Sequence, residues 1–124
     1  LEFEIKMRKN KAVDKATMEI MFNNQSDMRV GSYISDYVDV TRVGIGEEFV
    51  WKTVIDHHNL AKGKYGVCFN IGQKDIHVGL KDYDIVHNVL SFSVEYADVA
   101  KKDHFAYWPS YNGSIYFRGT SSLL

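Results

Sequence analysis

Apolar and polar residues alternate with a period of two along most of this chain. In LEFEIKM, Leu1, Phe3, Ile5 and Met7 fall on one side and Glu2, Glu4 and Lys6 on the other. Successive side chains of a strand point to opposite faces, so this pattern predicts a half-buried strand. The same rhythm predicts strands in ATMEIMF, with Met18, Ile20 and Phe22 inward, and in MRVGSYIS. It recurs in EEFVWKTVI, where Phe49, Trp51, Thr53 and Ile55 oppose Val50, Lys52 and Val54. KYGVCFNI sets Tyr65, Val67, Phe69 and Ile71 against Gly66, Cys68 and Asn70, and NVLSFSVEY turns Leu90, Phe92 and Val94 inward. SIYFRG predicts a last strand. Turn residues separate these runs at NNQSD, at GIG (44–46), at KGK (62–64) and at GQKD (72–75). No stretch of about 11 residues carries helical spacing. The expectation is an all-β fold, an immunoglobulin-like antiparallel β-sandwich of about seven or eight strands with a C-terminal strand able to swap between chains.

At 124 residues, 45% hydrophobic and 25% charged, the chain suits one folded domain spanning residues 1–124. A net charge of -1 with scattered basic residues lacks the concentrated positive face that nucleic acid requires. The single cysteine, Cys68, leaves no internal disulfide, in keeping with a reducing compartment. No apolar run approaches the length of a membrane-spanning helix. The chain opens in mid-strand without an initiator methionine, which reads as a module cut from a longer protein.

Motifs for catalysis or cofactors are weak. GIGEEF and AKGKYG contain no phosphate-binding GxxxxGK[ST], and no serine sits in a GxSxG turn. In DHH, His57 and His58 would point to opposite faces of a strand and could not share one ion. Asp82 and Asp84 of DYD share a side of an extended segment, but hydrolytic carboxylates face each other across a cleft, so Asp84 reads as a residue orienting the loop before the LSFSV strand. The expectation is a non-catalytic chain with no cofactor and no metal.

More specific is the order LAKGKYGVCFNI followed by DYDIVHNVLSFSV, carrying Leu60, Gly63, Tyr65, Asp84, Leu90, Phe92 and Val94. It resembles the C-terminal domain of the ATP-binding subunits of polysaccharide ABC exporters, the Wzt type that handles O-antigen and related glycans. The opening LEFEIKMRKNKAVDKATMEIMFNN and the closing YNGSIYFRG resemble other parts of that family's pattern. The resemblance implies an immunoglobulin-like sandwich behind a nucleotide-binding domain, which recognises the polysaccharide to be exported for lipopolysaccharide biosynthesis. It implies a homodimer paired through a terminal strand, a transmembrane permease as partner, and a cytoplasmic location at the inner face of the bacterial cytoplasmic membrane.

Ligand residues in that family follow the glycan, so the candidates come from this chain's own chemistry. Aromatic faces stack on the C–H faces of sugar rings, and amide or ammonium groups bond hydroxyls. On those grounds Tyr33, Lys52, Asn70, Trp108 and Tyr111 are the expected carbohydrate contacts. Pro109 cannot donate within a ladder and marks a boundary. Beyond it, Ser114, Ile115, Tyr116, Phe117 and Arg118 are the expected dimer strand. Two alternatives share the same fold: an adhesin-like interaction module, and a carbohydrate-binding module of a glycoside hydrolase.

Overall fold

The computed structural model describes residues 1–75, 79–95, 113–117 and 119–123. Among these residues the protein is all-β and antiparallel, with strands β1 (Glu2–Arg8), β2 (Lys15–Asn23), β3 (Arg29–Ile34), β4 (Val38–Asp39), β5 (Glu48–Val54), β6 (Gly63–Asp75) and β7 (Gly79–Val94). β1 and β5 form one sheet, and β3, β2, β6 and β7 follow one another in a second. β4 joins β2 beyond β3, with Lys15 opposite Asp39 and Ala16 opposite Val38. β3 and β4 thus make one interrupted edge. At the interruption Ser35 replaces the ladder with its own groups, its N–H donating to the Met18 carbonyl and its Oγ accepting from the Met18 N–H.

The two sheets pack through the alternation seen in the sequence. Ile20 and Val67 are fully buried, and Met18, Trp51 and Tyr65 nearly so. Phe3 of β1 meets Phe69 edge-on at 5.7 Å and Phe22 at 6.2 Å, and Phe22 meets Phe92 at 6.1 Å. Each such burial stabilises the fold by about 1.5–3 kcal/mol. The outer side of the β1–β5 sheet is a charge ladder, Glu2 and Glu4 on Lys52 and Lys6 and Arg8 on Glu48. These exposed pairs contribute little energy but keep the face polar. Thr17, Met21, Cys68 and Asn70 point away from the core and are also buried, so β2 and β6 are closed on both faces.

Tyr65 fixes the turn into β6. Its hydroxyl donates to the Ala61 carbonyl four residues back, at 2.6 Å. This tyrosine corner locks the loop ahead of a strand and recurs in β-sandwiches. It explains the spacing Leu60, Gly63, Tyr65, in which Leu60 is buried and Gly63 takes φ +156°, a backbone angle that residues with a side chain rarely adopt.

Several expectations change. GQKD is not a turn, because β6 runs on to Asp75 and pairs with β7 in a long hairpin. Gly72 marks a close approach instead: a Cβ there would collide with the Lys81 carbonyl oxygen, next to a register shift. DYD lies inside β7 rather than in a loop before it. Tyr83 is the extra residue of that bulge, so Asp82 opposes Gly72 and Asp84 opposes the neighbouring Ile71. The bulge therefore undoes the i, i+2 arrangement that would have put both carboxylates on one side. Leu90 remains 40% exposed despite its inward register opposite Val67, because β7 is the last strand of its sheet among the described residues. SIYFRG forms no strand among the described residues; it makes a single bridge, Ile115 to Leu60.

Candidate functional site

Pairing parity decides which backbone groups β5 leaves open. Leu1 and Ile55 exchange both hydrogen bonds at one end of the β1–β5 ladder, and Lys9 bonds Glu47 at the other. Hydrogen-bonded pairs alternate along an antiparallel ladder, so Phe3–Thr53, Ile5–Trp51 and Met7–Phe49 are bonded. Val50, Lys52 and Val54 consequently aim their N–H and C=O groups away from β1, along an edge that no other described strand covers.

That edge borders an open groove of about 230 Å³. Phe49, Val50, Trp51 and Lys52 line one wall. Four consecutive strand residues face both ways in turn, so they line one groove only along the strand's edge. The opposite wall is β4 and the loop behind it, with Val38, Val40 and Val43 supplying apolar surface and Asp39 and Arg42 supplying charge. Local bonds set this wall: Asp39 Oδ1 accepts from Thr41 N at 2.8 Å and Thr41 Oγ1 at 2.6 Å, and Val43 N donates to Val40 O. The Thr41 hydroxyl and amide, with help from Arg42 and Lys9, hold the Asp39 carboxyl below the usual carboxylate range. Lys52 donates to Glu2 at 2.7 Å with Glu4 at 3.8 Å, and Glu2 chiefly raises its pKa. The groove thus combines apolar walls, fixed charges and unpaired backbone donors and acceptors, the equipment for holding an extended polar ligand.

A second polar cluster lies on the far side of the larger sheet. Asn70 Nδ2 donates to Asp82 Oδ1 at 2.7 Å, and Lys74 Nζ stands 3.2 Å from both Asp82 and Glu19. Burial works against the Lys74 charge, yet the two carboxylates raise its pKa; Asn70 and Lys74 hold Asp82 low. Asn70 is 4% exposed and its Oδ1 has no partner. Every charge here already has a partner within the sheet, which gives the cluster a structural rather than a receptive character.

The expected carbohydrate contacts do not converge. Tyr33 on β3 is half-buried and packs against the core, Lys52 stands on the outer side of the small sheet, and Asn70 is enclosed on the outer side of the large one. Trp108 and Tyr111 lie outside the described residues. Of the three that are described, Lys52 alone lines the groove. Sequence reasoning missed Asp39, Arg42, Val43, Phe49 and Trp51 as site residues; Asp39-x-Thr41 is a local turn signal, but nothing local brings residues 38–43 beside 49–52.

Of the expected dimer strand, Ser114 O accepts from Ala61 N, Tyr116 N donates to Asn59 O, and Ile115 bridges to Leu60, all within one chain. Phe117 is 86% exposed, and Arg118 lies outside the described residues. His57 is exposed and His58 half-buried, and both lie in the loop between β5 and β6 rather than on a strand. No family model matches this chain, and no curated protein matches it.

Proposed function

We propose that this chain is a non-catalytic glycan-recognition domain, an immunoglobulin-like sandwich serving the ATP-binding subunit of a bacterial polysaccharide exporter. The observation that carries the reading is the β5-edge groove, where aromatic and aliphatic walls meet fixed charges and open backbone groups. Sugars present alternating C–H faces and hydroxyls, and such a groove answers both. The Leu60-Gly63-Tyr65 corner, which shapes the stretch resembling Wzt-type domains, supports the family reading. Open grooves bind sugars weakly because the hydroxyls already bond water well. In the proposed assembly, two copies form a homodimer, with exposed Phe117 in the pairing segment, and gain avidity from acting together beside a permease at the inner face of the cytoplasmic membrane.

The test is a nuclear magnetic resonance titration of the 15N-labelled chain with the source organism's surface polysaccharide. Shifts confined to residues 38–43 and 49–52 support the reading. No shift at millimolar concentration refutes it.

A second reading, a protein-interaction sandwich, is favoured by one feature. Edge strand β7 exposes Tyr83, Ile85, Val86, Val89 and Leu90, a run of apolar surface suited to a protein partner. Under this reading the polysaccharide leaves the spectrum unchanged, and substituting Val86 and Leu90 by Lys abolishes partner association.

A further inference from the structure

Resting on the glycan reading, we infer that the β5-edge groove takes an acidic sugar whose anionic group is held by the Arg42 guanidinium. Three charged side chains line the groove, Asp39, Arg42 and Lys52. Two of them are occupied. Lys52 is engaged by Glu2 and Glu4, and one Asp39 oxygen is taken by Thr41. Arg42 is exposed and makes no hydrogen bond or ion pair with the described residues.

The charges are also segregated along the groove. At the β4 end, Arg42 and Lys9 both act on Asp39, and Lys9 Nζ is held in place on the Val40 carbonyl at 2.8 Å. Two cations act on the Asp39 carboxylate there, and the Glu47 carboxylate in the same loop is already taken by the Gly44 amide. At the other end, two carboxylates face the single ammonium of Lys52, leaving a negative surplus. An acid group is therefore drawn to Arg42, and hydroxyls to the open N–H and C=O groups of Val50 and Lys52. A guanidinium fork suits carboxylate and phosphate alike, each through two parallel hydrogen bonds. The inferred ligand is a hexuronic acid or a sugar phosphate, and the shared chemistry is an anion carried on a polyol.

The experiment titrates the 15N-labelled chain separately with D-glucuronate, D-glucose 6-phosphate, D-glucose, acetate and inorganic phosphate. An acidic sugar should move the amides of Val43, Val50 and Lys52 and bind roughly tenfold tighter than glucose, the scale of one charge-assisted pair. Raising the salt concentration should weaken it. Arg42→Gln removes no internal partner, so it should keep the parent spectrum while bringing acidic sugars down to the level of glucose; Arg42→Lys should restore part of the difference. Whichever acidic sugar binds identifies carboxylate or phosphate as the group read. Glucose binding the groove as tightly as glucuronate, or Arg42→Gln leaving the preference intact, overturns the inference while the glycan reading stands. Acetate and phosphate matching the sugars means an adventitious ion only and also overturns it. A native polysaccharide that shifts no residue removes the glycan reading itself, a separate and recognisable failure.

Discussion

Replacing Tyr65 with Phe deletes one oxygen atom and tests the corner directly. The hydroxyl donates to Ala61 O at 2.6 Å and lies 3.3 Å from Ser114 O, and Ala61 is 1% exposed. One proton serves the shorter contact, so the cost is that bond plus a buried carbonyl left without a donor, about 1–3 kcal/mol. The ring stays, with its contact to Phe92 at 5.7 Å, so no hydrophobic term is lost. Taking about 2 kcal/mol and a urea slope of about 2 kcal/mol/M, the midpoint should fall by about 1 M at constant slope. The assay is urea unfolding followed by circular dichroism, with hydrogen exchange at the Ala61 amide, which should quicken as its bond to Ser114 O loosens. A midpoint shift below about 0.2 M would refute the view that the hydroxyl, rather than ring packing, holds the turn.

Two further outcomes follow from the same geometry. Gly72→Ala drives a methyl into the Lys81 carbonyl and should destabilise by about 1–3 kcal/mol, whereas Gly31→Ala, with open space around it, should change stability by less than about 1 kcal/mol; comparable losses at both would deny the close approach. His58 has a buried Nδ1 without a partner, and burial first, then the N-terminal charge, lowers its pKa. The unfolded chain then takes the proton more readily, so stability should be full above about pH 6.5 and fall as pH drops below it. His58→Gln should flatten that part of the curve, and an unchanged slope would exclude His58 as its source.

The local rules of strands were legible in the sequence because they are short-range. Alternation placed Phe3, Ile20, Val67 and Phe69 in the core, and the interior kept them there. What escaped was set by contacts between distant residues. Gly72 looks like turn glycine until β7 arrives against it, and Tyr83 looks regular until the bulge makes it the extra residue. β4 is two residues long, too short for any periodicity to reveal. The Asn70 amide suits a sugar hydroxyl, but the sequence does not show that Asp82 already occupies it. The Lys52 charge does stand at the groove, although Glu2 and Glu4 claim its ammonium. Arg42 carried no signal, since nothing in the sequence shows that it lines a groove without a bonded partner among the described residues.

The β6–β7 hairpin has a consequence for the order of assembly. Its innermost pair, Asp75 and Gly79, is four residues apart, and the pairing zips outward to Gly63 and Val94. The β1–β5 ladder instead starts from the bond between Lys9 and Glu47, 38 positions apart, and runs out to Glu2 opposite Val54, so a long loop must close before one bond forms. Loop closure over that distance is entropically dear, while a hairpin forms in about microseconds. The long hairpin is therefore expected to acquire protected amides first in pulse-labelled refolding. The small sheet, and with it the groove, should form after the hairpin.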